Sequence, residues 1–230
     1  KVRGLTWVTF EDGTIKGIAK EGTAVYDITA GSWATTIGGH PAIHDADEVH
    51  FAIFKNVVIM TSEESTPIAP QKWTGSGSWA ALGGSPPACR FCCVHKGRLI
   101  LPGTNADPSR VYFSGNANHE LWSPAGADDA TNMFVHPGDG MVINGIASDG
   151  HYLYVSKKAP GSAEGAIYAI AGDGPATFKA PVRIAHFGAA SQRAMSFTHT
   201  AVVIAGKNGV WGLRVGEPLI KMSHAISPDI

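Results

Sequence analysis

The chain has 230 residues, of which 44% are hydrophobic and 16% charged, with a formal net charge of −1, 28 Gly and 14 Pro. Its Lys and Arg are scattered, singly except for Lys157-Lys158, which argues against direct, sequence-specific nucleic-acid binding through a basic stripe. No apolar run reaches the length of a membrane-spanning helix, and the first residues lack the order of a signal peptide, so the chain reads as soluble.

Polarity carried by turn formers and hydroxyls points to many short strands. Thr6 to Phe10, an Asp12-Gly13 turn and Thr14 to Ala19 predict a hairpin, continued by Thr23 to Ile28 and Trp33 to Ile37. Val49 to Phe54, a Lys55-Asn56 turn and Val57 to Thr61 predict a second, with Pro67 to Trp73 and Ser78 to Leu82 as outer strands. The design returns at Cys89 to Val94, Lys96-Gly97 and Arg98 to Leu101, followed by Val111 to Ser114 and His119 to Trp122. It returns again at Met141 to Ala147, Asp149-Gly150, His151 to Val155 and Ala166 to Ile170, with Phe178 to Ile184 as a fourth strand. A last unit takes Arg193 to Phe197, a turn near His199-Thr200, Ala201 to Ala205, Asn208-Gly209 and Val210 to Val215.

The turns at Asn56, Gly97, Gly150 and Thr200 repeat at roughly 40 to 50 residues, the period of a four-stranded β-propeller blade. The expectation is an all-β chain, a β-propeller of about five blades over residues 1–230, either as a single domain or as the propeller part of a longer chain. A two-sheet sandwich is the alternative, disfavoured because similar hairpins repeat. Val57 to Ile59, Leu99 to Leu101, Leu153 to Val155 and Val202 to Ile204 are read as inner strands and the most buried positions. The chain starts at Lys1 rather than Met and stops at SHAISPDI, which fits either a piece of a longer product or a trimmed N-terminus.

Groups capable of chemistry have architectural explanations. Cys89, Cys92 and Cys93 form an unaccompanied C-x-x-C-C, expected as buried or half-buried free thiols in a reducing compartment. His44, Asp45, Asp47, Glu48 and His50 are metal-ligand types, but their spacing matches no motif and reads as a polar inter-strand loop. Asp12, Asp27, Asp107, Asp139, Asp149 and Asp173 mostly accompany Gly and suit turns better than a glycosidase pair. Gly75 to Trp79 lacks the strand-to-helix setting of a serine nucleophile, and Gly165, Gly172 and Gly174 make no phosphate loop. The six Trp are expected to pack blade against blade rather than to stack on sugars. No catalytic, cofactor-binding or metal residue is assigned and no cofactor is expected.

The phrase GRLILPGTNADPSRVYFSGNANHELW, with Pro108, Val111, Tyr112, Phe113, Ser114 and Trp122, resembles the propeller part of tail proteins of short-tailed bacteriophages. These are the tail-nozzle or tail-tubular proteins and the related packaged-DNA-stabilising plugs. GDGMVINGIASDGHYLYVSKKAP with GAIYAI, then SQRAMSFTHTAVVIAGKNGVWGL and MSHAIS, extend the resemblance in order over roughly residues 91 to 228. No long platform segment flanks the propeller, a departure from a full nozzle protein. The resemblance implies a non-enzymatic structural virion protein, made in the host cytoplasm. It would form a homo-oligomeric ring around the channel of DNA ejection, touching other tail, portal or adaptor proteins. A carbohydrate-binding or glycan-processing propeller that recognises a host surface is the alternative. A cellular scaffold propeller is weaker, because Gly-His and Trp-Asp signatures are missing.

Overall fold

A computed structural model describes residues 1–33, 35–63, 67–124, 126, 129–162, 164–198, 201–206 and 209–223. It is a five-bladed β-propeller: five antiparallel sheets of four strands each, taken from the chain in order. Blade 1 holds β1 (Val2–Thr9), β2 (Ile15–Glu21), β3 (Ala24–Asp27) and β4 (Thr35–Thr36). Blade 2 holds β5 (Val49–Phe54), β6 (Val57–Ser62), β7 (Gln71–Trp73) and β8 (Ala80–Ala81). Blade 3 holds β9 (Cys93–His95), β10 (Arg98–Pro102), β11 (Arg110–Phe113) and β12 (Thr131–Phe134). Blade 4 holds β13 (Val142–Ser148), β14 (Tyr152–Lys158), β15 (Gly165–Ala171) and β16 (Val182–Ala185). Blade 5 holds β17 (Met195–Phe197), β18 (Val202–Gly206), β19 (Gly209–Leu213) and β20 (Ile220–Lys221), entered through a 3-10 turn at Gln192–Ala194.

The hairpin at Lys96-Gly97 shows how local chemistry sets the repeat. Both residues have positive φ, 45° and 73°, the geometry whose twist matches the flanking strands, and glycine takes the second position without strain. The expected turn at His199-Thr200, residue Asn208 and the phrase from His224 onward lie outside the described residues.

Two expectations need correction. Val57 to Ile59, Leu99 to Leu101, Leu153 to Val155 and Val202 to Ile204 do fall on deeply buried strands, but these are second from the axis. The strands that neighbour one another around the axis are β1, β5, β9, β13 and β17. In blades 2, 3 and 4 a second strand has partner strands on both edges and blades on both faces, whereas an innermost strand borders the axial space. That difference explains why VVIM, RLIL and YLYV are continuous apolar runs rather than alternating ones. The other correction concerns His119 to Trp122, which is not a strand. Gly115 and Asn118 bridge, and the Asn118 side chain accepts from the Glu120 N–H at 3.0 Å, so the segment curls. The fourth strand of blade 3 is β12 instead.

Four apolar clusters bind successive blades. Val8, Ile18 and Val25 meet Val58, Met60 and Trp79 between blades 1 and 2. Phe54 and Ile59 meet Cys92 and Leu99 between blades 2 and 3. Ile100 and Phe113 meet Leu153 and Tyr168 between blades 3 and 4. Tyr154 and Ile167 meet Val202 and Ile204 between blades 4 and 5.

Buried cations complete this framework. Lys20 on β2 donates to the carbonyls of His44, Asp45 and Asp47 at 2.9, 3.0 and 2.7 Å. Arg98 on β10 donates to the carbonyls of Asp173, Ser114 and Asp129 at 2.9, 2.8 and 2.8 Å. Lys157 on β14 donates to the carbonyls of Val135 and His136, both at 2.8 Å, and to both Asp139 oxygens at 2.7 and 2.9 Å. Each ties a second strand to irregular chain whose carbonyls have no ladder to enter, satisfying groups that would otherwise be costly to bury.

The thiols belong to the same framework. Cys89 and Cys92 are buried between blades 2 and 3. Burial pushes Cys92 up to about 12 and raises Cys89 and Cys93 as well. Because the thiolate is the reactive form, all three are expected to resist an aromatic disulfide reagent at neutral pH and to react promptly in denaturant. Rapid stoichiometric labelling of the folded chain would contradict this packing.

Candidate functional site

Two regions stand out once the framework is accounted for: the axial pocket, and the outward faces of the first and last blades. The axial pocket has a volume of about 220 Å³ and is walled by Leu5 and Thr6 of blade 1, His50 of blade 2, Cys92, and Arg193 and Met195 of blade 5. At its rim Glu48 and Glu63 extend the β5–β6 ladder by one step, the Glu63 N–H reaching the Glu48 carbonyl at 2.9 Å. Alternation along β5 puts Glu48 and His50 on one face, and the register puts Glu63 beside them. His50 Nε2 lies 2.5 Å from Glu63 Oε1, and Arg193 Nε lies 3.0 Å from Glu48 Oε2. The ligand atoms of Glu48, His50 and Glu63 all lie within 4.8 Å of one another.

The polar loop read from the sequence therefore divides. His44, Asp45 and Asp47 hold Lys20 through backbone carbonyls, whereas Glu48 and His50 turn their side chains to the rim. Glu63 and Arg193, remote in sequence, carried no signal of their own. The predicted carboxylates do not assemble into a cleft. Asp12 caps its turn, Asp27 pairs with Lys16, Asp107 with Arg110, and Asp139 with Lys157. Asp149 accepts from the Tyr154 hydroxyl, and Asp173 from Thr177.

A cleft of about 580 Å³ opens at the rim between blades 1 and 2, with Asp12, Lys16 and Asn56 on its walls and Phe10 as its aromatic ring. Of the tryptophans, Trp73 and Trp79 pack between blades as expected. Trp7 and Trp33 do not; they are exposed.

The exposed apolar residues of the first blade share one face. The register pairs Leu5 with Ala19, Trp7 with Gly17 and Thr9 with Ile15, and Ala19 pairs on with Tyr26. Leu5, Trp7, Ile15 and Tyr26 thus lie opposite the face that Val8, Ile18 and Val25 turn to blade 2. A Cβ at Gly17 would come within 2.9 Å of the Trp7 ring, so glycine is what lets the indole lie across β2. Leu5, Trp7 and Ile15 are 58%, 53% and 53% exposed.

Blade 5 mirrors this. Val202, Ile204 and Leu213 face blade 4, so Val203, Gly212 and Ile220, paired across the strands, face away. Ile220 and Met222 are 61% and 57% exposed and border a hollow of about 190 Å³. Among the described residues, no apolar cluster joins blade 5 to blade 1. The two blades approach each other chiefly at the axis, where both line the pocket.

Neither a protein-family model nor a curated protein matches this chain. Among solved structures, the extracellular domain of a hybrid two-component system protein from B. thetaiotaomicron is similar, with a TM-score of 0.56 and 11% sequence identity. The match covers 96% of this chain and 27% of that one, and at this identity the likeness concerns the fold alone.

Proposed function

We propose that the chain is a non-enzymatic structural propeller that assembles with copies of itself, as a component of a bacteriophage tail around the DNA exit channel. The phage assignment rests on the ordered sequence phrases of blades 3 to 5. The observation that carries the structural reading is the pair of uncovered apolar faces on blades 1 and 5. Every internal blade boundary packs the far face of one blade on the near face of the next, and the two free faces are the missing halves of that same contact. A second copy supplies both. Its blade 5 offers Ile220 and Met222 to Leu5, Trp7 and Ile15, and its blade 1 offers the converse. Such a head-to-tail contact builds rings where the rotation closes.

Light scattering and electron microscopy of the purified chain test this. Trp7→Asp and Ile220→Asp each spoil one face, so either variant alone should be monomeric. Their mixture should form a capped heterodimer through the two intact faces. A monomeric wild-type chain, or a mixture that stays monomeric while the wild type assembles, would overturn head-to-tail pairing.

A further inference from the structure

The rim of the axial pocket, formed by Glu48, His50 and Glu63, shares none of its groups with those faces, although Leu5 borders both regions, and its groups suit a cation. We infer that Glu48, His50 and Glu63 form a binding site for a divalent transition metal, with zinc the natural probe. The placement comes from backbone geometry: residues i and i+2 of one strand, plus the residue opposite the first, stand at the corners of a triangle on one face. A tetrahedral zinc with bonds of about 2.1 Å holds its donors about 3.4 Å apart, so donor atoms within 4.8 Å of one another need to draw in by about 1.4 Å at most, within reach of carboxylate rotamers.

The donor types select among metals. One imidazole and two carboxylates match zinc, manganese or iron better than calcium or magnesium, which favour oxygen throughout. His50 is 8% exposed and packs against the Phe91 ring at 5.4 Å between centroids, so the imidazole is held in place. The carboxylates are more open, with side chains 27% and 29% exposed, which leaves a path for the ion and positions for water.

Charge points the same way. Two carboxylates at the rim meet one guanidinium, Arg193, which pairs with Glu48 alone at 3.0 Å among the described ion pairs. With neutral imidazole, the form that ligates metal, the cluster has an excess negative charge. A divalent cation would neutralise it, taking over from the His50–Glu63 hydrogen bond. Because Arg193 belongs to the turn that enters blade 5 and Glu48 to the approach to blade 2, the metal and the arginine compete for one carboxylate. Metal occupancy thereby bears on how firmly blade 5 is tied across the axis.

Calorimetric titration of the intact chain with zinc chloride at near-neutral pH tests the site. One equivalent should bind per chain. Glu48→Gln and Glu63→Gln, both checked for unchanged folding by circular dichroism, should each weaken binding at least about tenfold. Arg193→Gln should strengthen it, a change that a purely structural ion pair has no reason to produce. Absence of binding at millimolar zinc would overturn the site. So would affinity unaltered in both glutamine variants, since that would place the zinc on other histidines.

Discussion

Replacing Lys157 with Met is expected to lower the stability of the fold by about 3–5 kcal/mol, as measured by urea unfolding at neutral pH. Methionine keeps most of the volume, so the loss reports charge and hydrogen bonding rather than a cavity. Removing the ammonium strands Asp139, whose side chain is 9% exposed, and leaves the Val135 and His136 carbonyls without their donor. A buried charge that loses its partner is more costly than the pair was worth.

The pH dependence distinguishes this cause from misfolding. In the wild type, burial alone would raise the Asp139 carboxyl, but hydrogen bonds from Lys157 and the Met141 N–H outweigh it and hold it below its usual 3.8. A carboxyl lowered in the fold contributes stability that is complete above its unfolded value and lost as the pH falls through the folded one. Without Lys157 the carboxylate keeps only the Met141 N–H and His136, 3.5 Å away, as partners, so protonating Asp139 costs less stability than in the wild type. The deficit of Lys157→Met relative to wild type should therefore shrink below pH of about 4. A deficit constant with pH would show that Asp139 is not the group left stranded.

The second large effect is expected from His95, at the end of β9, with Nδ1 2.8 Å from Ser148 Oγ of β13 across the boundary of blades 3 and 4. Burial of the imidazole lowers it from 6.5 to about 4. The folded state thus rejects a proton that the unfolded state accepts. Stability is complete above 6.5, declines as the pH falls from 6.5 towards 4, and loses no more from this group below that. A shift of that size corresponds to about 3 kcal/mol at most. His95→Gln, which keeps a neutral polar group of similar reach, should abolish this part of the decline. Between pH 7 and pH 4 the variant should therefore gain stability relative to wild type steadily as the acid end is approached. Parallel curves would rule out His95 as the titrating group.

The parts of this structure legible in the sequence are those written in short-range pattern. Hairpins such as β5–β6 and β13–β14 show as apolar runs flanking turn residues, and their regular return marks the blades. Outer strands were harder. β12, TNMF, is half polar and pairs along one edge only, while the more apolar HELW curls because Asn118 offers its own side chain to the backbone. β20 is two residues long, too short to carry a strand pattern. The rim cluster was half visible: Glu48 and His50 belong to a conspicuous polar loop, but Glu63 comes from the end of β6, and Arg193 is brought from another blade by the ring. Buried cations are the least legible group, since Lys20, Arg98 and Lys157 sit in strand patterns where a charge ordinarily indicates solvent.

The uncovered faces also give the propeller a graded stability. In a stack where each unit contacts only its neighbours, a blade's persistence depends on how many boundaries it shares. Blades 2, 3 and 4 are sandwiched, whereas blades 1 and 5 each have a single apolar boundary and an exposed opposite side. Opening of the isolated chain should then begin at its two terminal blades and proceed inward, with the β10 and β14 strands the last to release their amide protons. A neighbour docked at either terminal blade would flatten that gradient without altering a single residue of the interior.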